Sequence, residues 1–157
     1  MNLIISSFFI INLFLGICRA ETNKFFEIDK KNFIAVKIKK DLQGNIERGK
    51  NIFISRKVNC LSCHEAPIIE EKFQGNFGPP LGGVGSRYNK EELRLRVIDS
   101  KSINPDSIMP SYFKKIKFER TPREFLNKTI LSAQEVEDLV EYLYSLKWYG
   151  KTKKKYS

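Results

Sequence analysis

Apolar positions in this chain change their spacing from one segment to the next, and each change predicts an element. Leu3 to Leu15 is an almost unbroken apolar run, followed by Gly16 and a short stretch ending in Ala20. It is too short for a comfortable membrane span and has the layout of a secretory signal peptide over residues 1–20, so a periplasmic protein without stable membrane insertion is expected. No Lys or Arg precedes the run; lipid modification at Cys18 and an uncleaved anchor are the alternatives. In the leader, residues 21–44, Ile34, Val36 and Ile38 alternate with Ala35, Lys37 and Lys39. That period of two predicts an extended piece lying on the domain surface, ended by Gly44.

Helical spacing takes over at Asn45, an available N-cap, where Ile46, Gly49, Ile52 or Phe53 and Arg56 share a face to about Lys57. Glycine is costly in mid-helix, so Gly49 predicts close approach by another helix. Pro67, Gly75, Gly78, Pro79 and Pro80 make the next stretch irregular. Gly82, Gly83 and Gly85 follow without phosphate-loop spacing, and are read as a plain turn or as room for the edge of a bound group. Asn89 and Glu92 form a capping box for a helix with Leu93, Leu95 and Val97 on its apolar face, running to about Asp99 and broken by Asn104, Pro105 and Asp106. A basic connector, Tyr112 to Lys128, contains Pro122. The clearest helix starts at the Ser132–Glu135 capping box and carries the stripe Val136, Leu139, Val140, Leu143 and Leu146. Its Tyr142, Tyr144 and Trp148 are read as packing or functional, and Lys151 to Lys155 as a solvated tail or a docking element. The prediction is one all-α domain over residues 45–148, with a basic tail over 149–157 and no internal repeat.

Two loops carry chemistry. Cys60, Leu61, Ser62, Cys63 and His64 form Cys-x-x-Cys-His, the arrangement of a c-type haem attachment site. Two thiols at this spacing can each add to one vinyl group of a porphyrin, and the adjacent imidazole then falls beneath the iron. A structural zinc site would need a second ligand pair, which this chain lacks, and a thioredoxin-like pair would need a βαβ setting. The rigid Gly78-Pro79-Pro80-Leu81 segment can present a backbone carbonyl to an iron-bound imidazole, or is an ordinary loop. The second loop is Ile108-Met109-Pro110. His64 is the single histidine and Met1 departs with a cleaved signal, so either Met109 is the sixth iron ligand or the iron is open to gases.

Composition adds a few constraints. Length fits one domain, and the apolar and charged fractions are those of an ordinary globule. After cleavage at Ala20 the chain keeps 27 basic and 18 acidic residues, a net +9. In the bacterial envelope that points to acidic protein partners, anionic small molecules or solubility, with no nucleic-acid role. The mature chain would keep only Cys60 and Cys63, both used by the haem, so no thiol remains for catalysis.

From about Leu42 to Lys147 the chain resembles a class I cytochrome c. More narrowly it is similar to the SoxX family, the small monohaem subunits of SoxAX cytochromes. The resemblance rests on Asn59 to His64, Gly78 to Leu81 followed by Val84 to Tyr88, Glu92 to Val97, Asn104 to Pro110, and Leu131 to Asp138. Val58 stands where the family more often has glycine, and the leader has no matching motif. The resemblance implies one covalent haem c held by Cys60 and Cys63, with His64 and Met109 as axial ligands and the Pro79 carbonyl meeting His64. It also implies a heterodimer with a SoxA-like subunit that carries the catalytic cysteine. The chain would then be the electron-accepting subunit of a periplasmic L-cysteine S-thiosulfotransferase, not an enzyme alone and with no catalytic residue of its own. Its partners would be SoxA, a sulfur-carrier protein reached through the complex, and a downstream cytochrome c acceptor. The alternative is a freely diffusing monohaem carrier feeding a terminal oxidase.

Overall fold

A computed structural model describes residues 24–115, 120, 121, 123 and 126–148. The expected signal peptide (residues 1–20), the expected basic tail (149–157) and Pro122 of the connector lie outside them. The described elements are a hairpin, β1 (Phe26–Asp29) and β2 (Ile34–Lys37), then α1 (Ile46–Ile54), α2 (Val84–Arg87), α3 (Lys90–Asp99) and α4 (Ala133–Ser145). Tight 3-10 turns at Cys60–Ser62 and Ser100–Ser102 lead into the two loops that carry chemistry. Among the described residues no helix is long and apolar enough to cross a membrane.

The scaffold is the crossing of α1 and α4. Asn45 caps α1 by accepting from the Arg48 N–H at 2.9 Å. A Cβ on Gly49 would stand 2.0 Å from the Asp138 carbonyl oxygen, so only glycine lets the helices come this close. The Asp138 carboxylate then fastens the crossing, accepting from the Asn45 N–H and from Arg48 Nε and Nη2, each at 2.8 Å. Ser132 and Glu135 form the expected capping box on α4, and Val136, Leu139, Val140 and Leu143 are buried beneath it.

α3 starts at the expected Asn89–Glu92 capping box, but it is buried on more than one face. Leu93, Leu95 and Val97 lie in the core, and so do Arg94, Ile98 and Asp99. The reason is the leader. It pairs antiparallel as a hairpin, and Arg94 donates to the Ala35 carbonyl at 2.7 Å and to Glu137 Oε1 at 2.5 Å. The expected surface strip is thus part of the core: Phe26 and Ala35 are fully buried, while Val36 and Ile38 are more than two-fifths exposed. Removing one partner of the Arg94–Glu137 pair would leave a buried charge, a loss of roughly 3–5 kcal/mol.

The glycine turn also differs from expectation. Gly83, at φ +68°, would place a Cβ 2.0 Å from the Trp148 indole, and a Cβ on Gly85 would stand 2.0 Å from the Tyr144 carbonyl oxygen. The turn makes room for the chain at the end of α4, not for the edge of a bound group. Tyr144 and Trp148 are packing residues in this sense, as is buried Tyr142, whose ring lies 5.4 Å from that of Phe53.

Candidate cofactor site

α1 delivers the first loop. Ser55 ends the helix, and Asn59 takes the left-handed conformation at φ 52°, turning the chain into Cys60–Ser62. The N–H groups of Cys63 and His64 both donate to the Cys60 carbonyl, at 3.2 and 3.0 Å. This single turn carries both thiols and the imidazole together. Burial pushes the Cys60 thiol pKa up to about 12, so it is a neutral thiol; the Tyr112 hydroxyl beside it opposes that shift. Tyr112 itself is buried, donates to the Val58 carbonyl at 2.9 Å, and has its own pKa raised, chiefly by burial.

The stretch after His64 folds back beneath the imidazole. Backbone N–H groups of Gly75, Gly78 and Leu81 donate to the carbonyls of Leu61, Cys63 and Glu65, at 2.7, 2.6 and 2.8 Å. Gln74 holds the outer bend by accepting from the Ala66 N–H and donating to the Ile68 and Glu71 carbonyls. These ties bring the Pro79 carbonyl oxygen to 2.8 Å from His64 Nδ1. A carbonyl only accepts, so Nδ1 carries the proton and Nε2 keeps a free lone pair. A Cβ on Gly78 would meet the imidazole Cε1 at 2.4 Å, so glycine is required for the ring to lie where it does. Arg87 braces the same loop, donating to the Pro80 and Gly82 carbonyls at 2.8 Å each.

Cys60, Cys63, His64, Pro79 and Met109 all line one cavity of about 550 Å³, walled mostly by apolar side chains from α1, α3 and α4. The cavity thus brings together all five residues singled out in the two loops. Met109 hangs from the end of α3: Ser100 Oγ donates to its carbonyl at 2.6 Å, and its N–H donates to Ser107 Oγ at 3.2 Å. The cationic side chains on the wall are Arg87 and Arg96, the latter stacked 3.8 Å from the centre of the Tyr88 ring. Two thiols, an imidazole with a free Nε2, a thioether, an apolar wall and two arginines suit a porphyrin with acidic side groups. A bare metal ion has no such match, since no group of three or more His, Cys, Asp or Glu is gathered among the described residues.

A family model for cytochrome c matches residues 46–147. The chain belongs to the cytochrome c family. A chain of the crystal structure of SoxXA from P. pantotrophus is similar to it, with 30% identity and a TM-score of 0.67, over 78% of this chain and 96% of that one. No curated protein matches in sequence. The fold is that of a class I cytochrome c with a small hairpin added, the cofactor is covalently bound haem c, and the role is haem electron transfer. Sequence reasoning missed the supporting residues of this cytochrome. Gly78 was visible inside a quoted motif, but Ser100, Ser107 and Tyr112 carry no spacing signal, because each acts through a contact distant in sequence or through a loop.

Proposed function

We propose that this cytochrome is the electron-accepting subunit of a periplasmic SoxAX-type L-cysteine S-thiosulfotransferase, exported by its N-terminal signal and paired with a SoxA-like subunit. The observation that carries the reading is the likeness to the SoxXA chain, which spans 96% of that chain at 30% identity. In this reading Cys60 and Cys63 would hold the haem through thioether bonds, and His64 Nε2 and Met109 Sδ would be the protein's donors to its iron. Haem c supplies a one-electron iron couple. A thioether is a soft, weak donor, so His64 with Met109 favours the ferrous state more than two imidazoles would, which suits an acceptor. Pro79 fixes the His64 ring and keeps the proton on Nδ1.

Joining a carrier cysteine thiolate to thiosulfate through a new S–S bond releases two electrons. This chain takes them one at a time, or shares them with the partner's redox groups, and passes them to a downstream cytochrome c. With Cys60 and Cys63 committed to the haem, the mature chain has no thiol for the sulfur-transfer step, which belongs to the SoxA-like subunit.

A permanent partner is favoured by the surface beside the site. Ile69 and Phe73 are 93% and 95% exposed on the bend that Gln74 holds, and Phe77 and Ile108, 73% and 68% exposed, stand at the cavity wall. Stable subunit interfaces are more apolar than passing electron-transfer contacts. Co-expression with a SoxA-like subunit tests the assignment: a heterodimer that reduces its haem on addition of thiosulfate and a carrier thiol is expected. A lone monomer, with thiosulfate oxidation intact after deletion of its gene, would return the protein to a free carrier.

A further inference from the structure

The chain on either side of Met109 is fastened to the end of α3 largely by side chains. Beyond the Ser100 and Ser107 contacts, Ser111 Oγ donates to Asp99 Oδ1 at 2.7 Å, while Ser102 Oγ and Lys114 Nζ donate to Asp99 Oδ2 at 2.9 and 3.1 Å. The backbone follows the same line, with the N–H groups of Tyr112 and Phe113 donating to the carbonyls of Val97 and Ile98 at 3.1 and 3.3 Å. Asp99 is 3% exposed and Ser111 2%.

Nothing in α3 asks for a carboxylate at this position. A negative charge at a helix C-terminus opposes the helix dipole, and a buried carboxylate is costly unless donors surround it. All three donors to the Asp99 side chain come from the loop: Ser102 at its start, Ser111 and Lys114 after Met109. Burial by itself would raise the Asp99 pKa, but these hydrogen bonds prevail and hold it below the usual aspartate value, so it is ionised.

We infer that Asp99 is a positioning residue for the distal ligand, holding the Met109 loop closed over the cavity by gripping Ser111 and Lys114 from the end of α3. The inference rests on Met109 being the iron ligand. A thioether is a weak donor to ferric iron, so whether it stays bound depends on how firmly the loop is held, and the grip supplies charge-assisted hydrogen bonds.

The test uses the full mature holoprotein in the ferric state, with added imidazole competing for the Met109 position. In Asp99→Asn imidazole binds about tenfold more tightly, the size expected for losing hydrogen bonds to a charged acceptor. Ser111→Ala, which leaves Lys114 in place, gives about a threefold change. Arg48→Gln loosens the α1–α4 crossing far from Met109 and leaves imidazole affinity unchanged. Should Asp99→Asn yield no holoprotein, Lys114→Met removes the charged donor alone and is expected to fall between the other two. Unchanged affinity in the Asp99 and Lys114 variants, or an equal rise in Arg48→Gln, overturns the inference. A wild-type ferric spectrum without the thioether-to-iron charge-transfer band overturns the ligation reading instead.

Discussion

The two loops that meet at the cavity are built on different terms. On the His64 side the chain from Glu65 to Leu81 is tied back to the attachment turn by backbone hydrogen bonds, and two prolines and a glycine fix the carbonyl that meets the imidazole. On the Met109 side two backbone bonds after the loop, from Tyr112 and Phe113, are joined by hydroxyls and one carboxylate, from Ser100, Ser107, Ser111 and Asp99. The proposed covalent attachment is also confined to the first side, since Cys60 and Cys63 lie on the turn that leads into His64. The difference teaches where this cytochrome can yield. The proposed ligand His64 belongs to a rigid unit defined by the backbone; the proposed ligand Met109 depends more on side-chain contacts that a proton or a single substitution can remove.

The strongest way to break the comparison is to damage the rigid side. Gly78→Val places branched carbon atoms inside the space of the His64 ring, where even a Cβ would be 2.4 Å from Cε1. Neither the ring nor the backbone can give way cheaply, because Pro79 and the Gly78 N–H bond fix both. A loss of about 3 kcal/mol in unfolding free energy is expected, at the upper end for overpacking. Chemical denaturation of the holoprotein checks it. A loss below about 1 kcal/mol would show that the proximal loop is as adaptable as the distal one.

Next comes Met109, the proposed iron ligand. Met109→Ala is expected to convert a low-spin ferric spectrum to high-spin, while the covalent haem stays attached through Cys60 and Cys63. An unchanged spectrum would mean that another group takes the iron.

Acid should separate the two sides more gently. The folded-state pKa of Asp99 is depressed, so its contribution is present above the unfolded aspartate value of about 3.9 and is lost as pH falls through the lower folded value. Acidification below about pH 4 is therefore expected to weaken the thioether charge-transfer band while the helical circular dichroism persists. In Asp99→Asn the band should already be weak at neutral pH, and that step of the titration should vanish. Simultaneous loss of band and helix in both proteins would contradict a distal side that yields first.

Much of this asymmetry was legible in the sequence and part of it was not. The rigid side is written in local grammar: Cys60, Cys63 and His64 by spacing, and the Gly78-Pro79-Pro80-Leu81 segment by its restricted backbone. The capping boxes at Asn89 and Ser132 and the close approach at Gly49 follow from equally local rules. The leader was expected on the domain surface because period two shows an extended piece but not what covers it; small Ala35 lies against α3, where buried Arg94 donates to its carbonyl. Asp99 was invisible for a related reason. A carboxylate at the end of an amphipathic helix looks solvated until the loop that returns over it, twelve residues later, supplies its donors.

The smallest expected effect gives the sharpest contrast. Ser100→Ala removes the hydroxyl that donates to the Met109 carbonyl at 2.6 Å, leaving Asp99, Ser111 and the backbone ties in place. Global stability should fall by about 1 kcal/mol, the usual net value of one hydrogen bond. The corresponding change on the other side is Arg87→Gln, which removes one exposed guanidinium from the Pro80 and Gly82 carbonyls. Its cost should also be about 1 kcal/mol. Equal costs in stability should nonetheless read out differently at the iron. Ser100→Ala frees the atoms next to a weak, uncrosslinked ligand, so its charge-transfer band should diminish and its exchange with added imidazole should quicken. Arg87→Gln should leave both unchanged, because the His64 ring is still held by the Pro79 carbonyl and by the proposed thioether anchors on the turn before it. Matching spectra for the two variants would mean that the loops grip the iron equally well.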